Sequence, residues 1–361
     1  MDRIKVGIIG FGRSGCNIHA DAISQKKDLF DLVAICDELP ELRSHQEFPN
    51  ATAYAKAEDL IADPEVEMVV VSTYNYTHAK YAIQALDAGK HVLCEKPFGF
   101  TTADVDAMIA ASKRNNRVLQ PFQQRRFASD FEAIQEVLRS GVLGEIGFVR
   151  ICWPGFGRRW DWQTSRVRGG GQLYNNGPHL IDYGMELFGD SDPVVTSTVR
   201  NMLGSGDAED EIHVMLQGEG APQVEMIISA TCAFPQDRWL ICGRNGTLRG
   251  TGTELEWKYV DWSKYPERKT DMNPLPGRYF CSEDLAFTTG SWKEEKAGNT
   301  DGGAGSNPAS APALKLYDTL YRAIRLGEPQ VITPEQIRRR VAVLETCYRQ
   351  NGIPFPEGTR Q

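Results

Sequence analysis

A glycine-rich hexapeptide set between a strand and a helix constrains this chain most. Ile4-Lys5-Val6-Gly7-Ile8-Ile9 is an apolar run suited to a buried strand. It empties into Gly10-Phe11-Gly12-Arg13-Ser14-Gly15, and a helical stretch follows from Cys16. The first glycine permits the tight turn, the second lets the backbone approach a pyrophosphate, and the third lets helix and strand pack closely. The phosphates then meet the unpaired N–H groups and the positive dipole end of the helix. Alone, GxGxxG is a weak signal, because glycine turns are common. Here Asp37 follows a second apolar run, Leu32 to Cys36, about 20 residues beyond the loop. A carboxylate there accepts the ribose hydroxyls of the adenosine, whereas a plain helix cap explains less. Glu38, Leu39 and Pro40 follow it, with no adjacent arginine for a 2′-phosphate, so NAD is favoured over NADP.

Such a loop belongs to a parallel sheet, and the flanking pattern supplies one. Met68 to Ser72, His91 to Cys94 and Val118 to Phe122 are further short apolar runs, and helical patterns at Thr77 to Ala88 and Thr102 to Asn115 lie between them. This alternation predicts an α/β, doubly wound Rossmann sheet over residues 1–125. After a helix at Asp130 to Ser140 the rhythm changes. Strand patterns at 148–153, 195–200, 211–217, 224–232, 238–242 and 255–260 predict a C-terminal α+β domain, 126–361, with a large, mostly antiparallel sheet. Residues 262–312 read as an irregular, mobile insert, and helices return at 314–326 and 334–351. A chain of 361 residues suits two domains. Its net charge of −8 argues against a nucleic-acid or anionic-membrane partner, and its longest apolar run is too short for a bilayer. The start lacks the apolar core of a signal peptide, and eight scattered cysteines form neither a close pair nor a zinc pattern. Together these predict a cytoplasmic protein with reduced thiols and no metal site.

Further along lie Ser72-Thr73-Tyr74-Asn75-Tyr76-Thr77-His78, Ala88-Gly89-Lys90-His91-Val92-Leu93-Cys94-Glu95-Lys96-Pro97, Gln124-Arg125-Arg126-Phe127 and Gly141 to Ile146. The glycine-rich segment from Gly169 leads to His179. With these motifs, nearly the whole chain resembles the glucose–fructose oxidoreductase, inositol dehydrogenase and MocA (Gfo/Idh/MocA) family. The resemblance implies an open-faced antiparallel sheet beside the Rossmann domain. It also implies oxidation or reduction of a sugar, glycoside or polyol with NAD, and a homo-oligomer formed through the C-terminal sheet. By resemblance, Gly10, Phe11, Gly12, Arg13, Ser14, Asp37, Thr73, Asn75, His78, Glu95, Lys96 and Gln124 surround the cofactor.

Hydride transfer from a secondary alcohol needs a base for the hydroxyl proton and a group to stabilise the reacting oxygen. The resemblance gives the oxygen to Lys96 and the acid/base role to His179. The other histidines, His19, His45, His91 and His213, read as structural, and His78 as support for the cofactor pocket. Where the family often carries aspartate, four residues before His179, this chain has Asn175. Asn175 can orient the imidazole or hold a substrate hydroxyl but cannot take a proton. Asp182, one turn after His179, is an alternative electrostatic partner, or forms a local salt bridge. Substrate contacts are expected from Lys96, Arg158, Trp160, Trp162, Asn175 and His179. Trp faces suit a sugar ring, and the arginines, including Arg159, Arg166 and Arg168, suit an acidic sugar or cofactor phosphates; a solvated loop is the plainer alternative. Trp257, Tyr259, Trp262, Tyr265, Tyr279 and Trp292 read as a lid or subunit contact that accommodates an aglycone. The preferred reaction is therefore oxidation of a glycoside at C3 to a 3-oxo-glycoside. Inositol or free aldose oxidation is the nearest rival. A cofactor-retaining redox-neutral enzyme and a silent NAD-binding sensor are the others.

Overall fold

Five short apolar runs pair in parallel because each needs cover on two sides, and a three-residue exposed strand closes one edge. They are β1 (Ile4–Ile9), β2 (Phe30–Cys36), β3 (Thr52–Tyr54), β4 (Met68–Val71), β5 (His91–Cys94) and β6 (Leu119–Pro121), in the order β3-β2-β1-β4-β5-β6. The structure is a computed structural model that describes residues 2–274, 277, 280, 282–294 and 310–360. Crossovers run through α1 (Asp21–Gln25), which continues a π-wound turn at Gly15–Ala20, then α2 (Ala57–Ala62), α3 (His78–Asp87) and α4 (Thr102–Asn115). The strand order reverses between β1 and β4, and ligands of open α/β sheets bind at such a switch point.

Beyond α5 (Ser129–Arg139) the chain builds an eight-stranded sheet. Its strands are β7 (Ile146–Pro154), β8 (Val194–Arg200), β9 (Glu211–Gln217), β10 (Gln223–Ser229), β11 (Trp239–Gly243), β12 (Gly246–Gly250), β13 (Glu254–Tyr259) and β14 (Thr288–Lys293). They are ordered β14-β13-β12-β11-β7-β10-β9-β8. Every neighbouring pair is antiparallel except β7 and β10. Alternate residues such as Ile212, Val214 and Leu216 point into a core beneath α6 (Gln172–Asn175), α7 (Gly177–Phe188) and α9 (Pro334–Gln350). Gly184 lets α7 lie close on β10, since a Cβ there would come 2.5 Å from the Met226 sulfur.

Helix α8 (Ala311–Arg325) returns to the first sheet, where Ala313, Leu316, Tyr317 and Leu320 enter the same core as β1 and β2. The Tyr317 ring meets Phe30 edge-on at 5.2 Å.

The expected irregular insert is in part sheet. Thr288–Lys293 pairs antiparallel with β13, although its sequence shows no apolar alternation. Gly290 explains the pairing: a side chain there would overlap the Trp257 ring, so the indole lies across the bare backbone. Trp257 and Trp292 pack on the second core, which removes them from any lid, while Trp262 and Tyr265 meet each other at 6.1 Å. Tyr279 and most of the glycine-rich stretch lie outside the described residues. Among the described residues, no helix is long and apolar enough to cross a membrane and no group of three metal-ligating side chains occurs.

Candidate active site

The glycine loop is shaped as its spacing requires. Gly10 has a φ of +84°, and a Cβ there would sit 2.7 Å from the Ser72 carbonyl. One at Gly15 would sit 2.1 Å from the Gly10 carbonyl, whereas Gly12 faces open space, as close approach of a pyrophosphate demands. At the end of β2, the Asp37 carboxylate accepts the N–H of Phe11 at 2.7 Å and of Leu39 at 3.0 Å. That fixes the carboxylate and leaves lone pairs for a ribose. Arg13 and Ser14 open the helix beyond. An arginine does stand near Asp37: Arg43 reaches back from six residues on, donating through Nε to the Asp37 carbonyl and through Nη2 to the Glu38 carbonyl. The Gln124 Oε1 is buried without a hydrogen-bond partner among the described residues, an acceptor that a bound cofactor amide fits.

Four residues expected at the cofactor have partners within the chain. Thr73 Oγ1 lies 2.6 Å from Thr77 Oγ1. Asn75 Nδ2 donates to the Gly169 carbonyl at 2.8 Å, tying the loop after β4 to the glycine-rich segment. Buried His78 places its two ring nitrogens 2.8 Å from the Pro97 carbonyl and 3.1 Å from that of Thr73, so it braces two loops rather than facing a ligand. Glu95 is buried, with Oε2 accepting the Lys96 N–H at 2.9 Å and Oε1 3.4 Å from His19 Nε2. His19 in turn lies 3.0 Å from the Tyr317 hydroxyl.

Lys96 emerges at the carboxyl end of β5. Its Nζ donates to the Asn175 backbone carbonyl at 2.8 Å and to Asn175 Oδ1 at 3.1 Å. Asn175 therefore holds the lysine rather than the imidazole. Burial lowers the ammonium to about 8, against the pull of Glu95 and with help from Arg13, Arg125 and Arg159. Glu209 anchors the start of α6, its Oε1 accepting the Leu173 N–H at 3.2 Å. Gly171, with φ +108°, is what admits that carboxylate.

His179 is buried in the first turn of α7, and burial, then Arg125 and Lys96, hold its pKa well below the ordinary value. Gln123 Nε2 lies 3.2 Å from both His179 Nδ1 and the Pro178 carbonyl. A carbonyl only accepts, so the amide nitrogen is the donor to both, and the imidazole proton then sits on Nε2. Asp182 is not the partner of His179. It is buried under two guanidiniums, Arg126 at 2.6 and 2.9 Å and Arg340 at 3.0 Å, which makes it the local ionic anchor of α7.

Beside these residues, the ends of β7 and β10 and the start of β11 enclose a trough of about 740 Å³. Its lining includes Arg125, Trp153, Arg158, Gln172, Asn176 and Arg238. The Trp153 ring in its wall is 6.2 Å from the buried His179, and neither His179 nor Lys96 lines the trough itself. Arg158 lines the trough, whereas Trp160 is 81% exposed and lies outside it. Trp162 is also outside it, edge-on to Tyr74 at 5.2 Å, and Arg168 reaches the Tyr76 hydroxyl at 3.3 Å. Gln123, Arg125, Trp153 and Glu209 escaped sequence reasoning. Two consecutive glutamines and two consecutive arginines give no hint which faces the site. Trp153 ends an apolar strand run, and nothing in the local sequence singles out Glu209.

Comparison with known proteins agrees with this geometry. Residues 4–123 match the model of an oxidoreductase family with an NAD-binding Rossmann fold, and residues 131–249 match the GFO/IDH/MocA C-terminal domain. The NADP⁺-dependent scyllo-inositol 2-dehydrogenase IolW of Bacillus subtilis is 27% identical, over 97% of this chain and 94% of its own. The D-glucoside 3-dehydrogenase of Escherichia coli is 31% identical, over 52% of this chain and 54% of its own. An NAD-binding protein from Listeria innocua superposes with a TM-score of 0.78 at 23% identity, covering 98% of each chain. With both halves matched in order, and the glycine loop and the lysine at the end of β5 in place, the chain belongs to the Gfo/Idh/MocA family of NAD-binding oxidoreductases.

Proposed function

We propose that the protein oxidises a secondary hydroxyl of a sugar with NAD as hydride acceptor, and that its substrate is a glycoside oxidised at C3 to a 3-oxo-glycoside. The observation that carries the reading is Lys96, bound through two contacts to Asn175 and brought down to about 8 beside a buried histidine. An amine near 8 is poised for proton transfer at neutral pH. In its neutral form the two N–H groups satisfy Asn175, and the lone pair is left for the substrate hydroxyl. His179, protonated on Nε2, donates to the same oxygen.

This division differs from the one the resemblance implied, in which His179 is the acid/base group and Lys96 stabilises the oxygen. The Gln123 contact favours the exchange, because a histidine base would need its proton on Nδ1, against another donor. Lys96 would then take the hydroxyl proton, and a bound nicotinamide would supply the acceptor for the carbinol hydride. The glycine loop, Asp37 and Gln124 would hold the cofactor, which supplies only the hydride-accepting ring. Asp37 favours a free ribose 2′-hydroxyl and so NAD over NADP, with Arg43 the residue that tempers this preference.

The D-glucoside 3-dehydrogenase supports the glycoside reading, and a trough of about 740 Å³ has room beyond one sugar ring. The inositol dehydrogenase relative supports a second reading, oxidation of a free inositol or aldose. In either case residues 1–125 form the cofactor unit, and 126–361 the unit for substrate binding and for oligomerisation through the large sheet, in a cytoplasmic enzyme. The test is formation of reduced nicotinamide with a panel of methyl glycosides, inositols and aldoses, the oxidised carbon being located by NMR. Lys96→Ala and His179→Ala should each cost about two to four powers of ten in turnover while NAD binding persists. A panel without turnover would sink the reading.

A further inference from the structure

We infer that the trough receives the aglycone of the proposed glycoside substrate and that this group is apolar, with Phe156 as its platform. This rests on the glycoside reading of the site and adds to it the class of the group carried at C1.

Phe156 lies in the wall of the trough and is 67% exposed. Scattered exposed apolar side chains are ordinary on a protein surface, and Trp160 and Phe234 are two more. Phe156 differs in its place: among the described residues it is the one exposed large apolar side chain that lines the trough. Its backbone is fixed by an antiparallel bridge to Thr231. The Cys232 N–H donates to the Gly155 carbonyl at 2.8 Å, and the Gly157 N–H donates to the Ala230 carbonyl at 3.2 Å. Glycine on either side gives the ring no chain neighbour to lean on, and a Cβ at Gly157 would meet nothing within 4 Å. The backbone is thus held in register while the ring is left bare. An apolar group that covers it gains from the burial without first having to order a loop.

The trough is also graded in chemistry along its length. At one end Trp153 lies 6.2 Å from His179, and Asn176 follows the Asn175 that holds Lys96. The amides of Gln172 and Asn176, bonded to each other at 2.7 Å, offer donors and acceptors to sugar hydroxyls there. The Trp153 Nε1 is buried without a hydrogen-bond partner among the described residues, a donor that a sugar oxygen would satisfy. Further along, Pro154, Phe156, Ile228 and Ala230 form an apolar stretch. Three residues of extended chain, about 10 Å, separate Phe156 from Trp153. A pyranose with its C3 hydroxyl at Lys96 and His179 therefore ends short of Phe156, and the substituent at C1 is the part that reaches it.

The test uses matched pairs of phenyl and methyl glycosides of glucose and galactose, in both anomers, with the intact protein. Turnover with NAD and binding by isothermal titration are both measured. In the pair that is used best, kcat/KM should favour the phenyl glycoside by about ten- to a hundredfold, mostly through KM, the scale of covering an aromatic ring. Phe156→Ala should bring the phenyl-to-methyl ratio close to one, and Phe156→Leu should keep part of it. Equal use of the two glycosides, or a ratio that survives Phe156→Ala, overturns the aglycone inference and leaves the dehydrogenase reading standing. A binding preference for phenyl that is lost in Phe156→Ala, without turnover of any pair, does the reverse. Neither binding nor turnover of any pair overturns both.

Discussion

Replacing Asn175 by aspartate separates the two possible bases, because the side chain sits on Lys96 and not on His179. The Asn175 Oδ1 lies 3.1 Å from the lysine Nζ. An opposite charge at that range raises an amine by about one to three units, so Lys96 moves from about 8 to roughly 9–11. If the neutral amine is the base, its fraction at pH 7 falls from about a tenth to between a hundredth and a ten-thousandth, and kcat/KM falls by about 10- to 1,000-fold. Activity should return as the pH is raised, with the acid limb of the kcat/KM profile displaced upward by the same one to three units. The assay is initial-rate formation of reduced nicotinamide from pH 6 to pH 11, alongside Asn175→Ala, which removes one contact without adding charge. A variant with wild-type activity at pH 7 and an unmoved acid limb would refute the assignment of Lys96 as base. The proton would then have to go to His179 despite its Gln123 contact.

Three further outcomes follow from the same geometry. Gln123→Leu removes the donor at His179 Nδ1 and should lower kcat by about 5- to 150-fold, the worth of one buried hydrogen bond at 1–3 kcal/mol, with the NAD Kd unchanged; an unchanged kcat shows that the tautomer does not matter. Glu209→Gln keeps an acceptor for the Leu173 N–H but cannot ionise. Burial first of all raises Glu209 from 4.5 to about 7, so wild-type stability is fullest below about pH 4.5 and declines as the pH rises through 7, and the variant should gain about 3 kcal/mol above pH 7 and none in acid. Denaturant midpoints that differ equally at pH 5 and pH 8 would refute it. Asp182→Asn leaves Arg126 and Arg340 buried beside a neutral amide and should cost about 3–5 kcal/mol in urea unfolding, whereas a loss under 1 kcal/mol would deny Asp182 its anchoring role.

What could be read from the sequence depended on how local the cause was. The glycine loop, Asp37 and the five apolar runs up to Phe122 are local patterns, and the parallel sheet follows them to within a residue or two, although Thr52–Tyr54 and Ala57–Ala62 were too short to register. Lys96 was legible because the turn carrying it is a contiguous motif. Its partner was not, because Asn175 is 79 residues away and its position beside His179 in the chain suggested the wrong neighbour. Asp182 stayed open for the same reason: one-turn spacing offered either His179 or a local ion pair, and two arginines from α9 and the loop after β6 claim the carboxylate. Trp160 reads as a sugar platform by composition alone, and the structure leaves it exposed and outside the trough. β14 could not be seen at all, since the cause of its pairing is an indole on another strand.

The placement of the chemistry at the seam follows from these distant contacts. The carboxyl edge of the parallel sheet grips the α6–α7 segment at four points: Asn75 on the Gly169 carbonyl, Lys96 on Asn175, Gln123 on Pro178 and His179, and Arg126 on Asp182. Asn75 follows β4, Lys96 follows β5, and Gln123 and Arg126 both follow β6, so the contacts come from three neighbouring strand ends of the first sheet. All four are charged or amide groups, and Gln123 and Arg126 are buried; such contacts lose far more than a surface pair when geometry slips. On the proposed reading, the α6–α7 segment held by these contacts would position the reacting oxygen against a bound nicotinamide. Hydride transfer needs that precision, because a misplacement of about 1 Å costs on the order of a hundredfold in rate. On the proposed reading the acid/base groups would depend on the same anchors: the contact of Lys96 with α6 would also orient its lone pair, and the contact of Gln123 with Pro178 would also select the His179 proton.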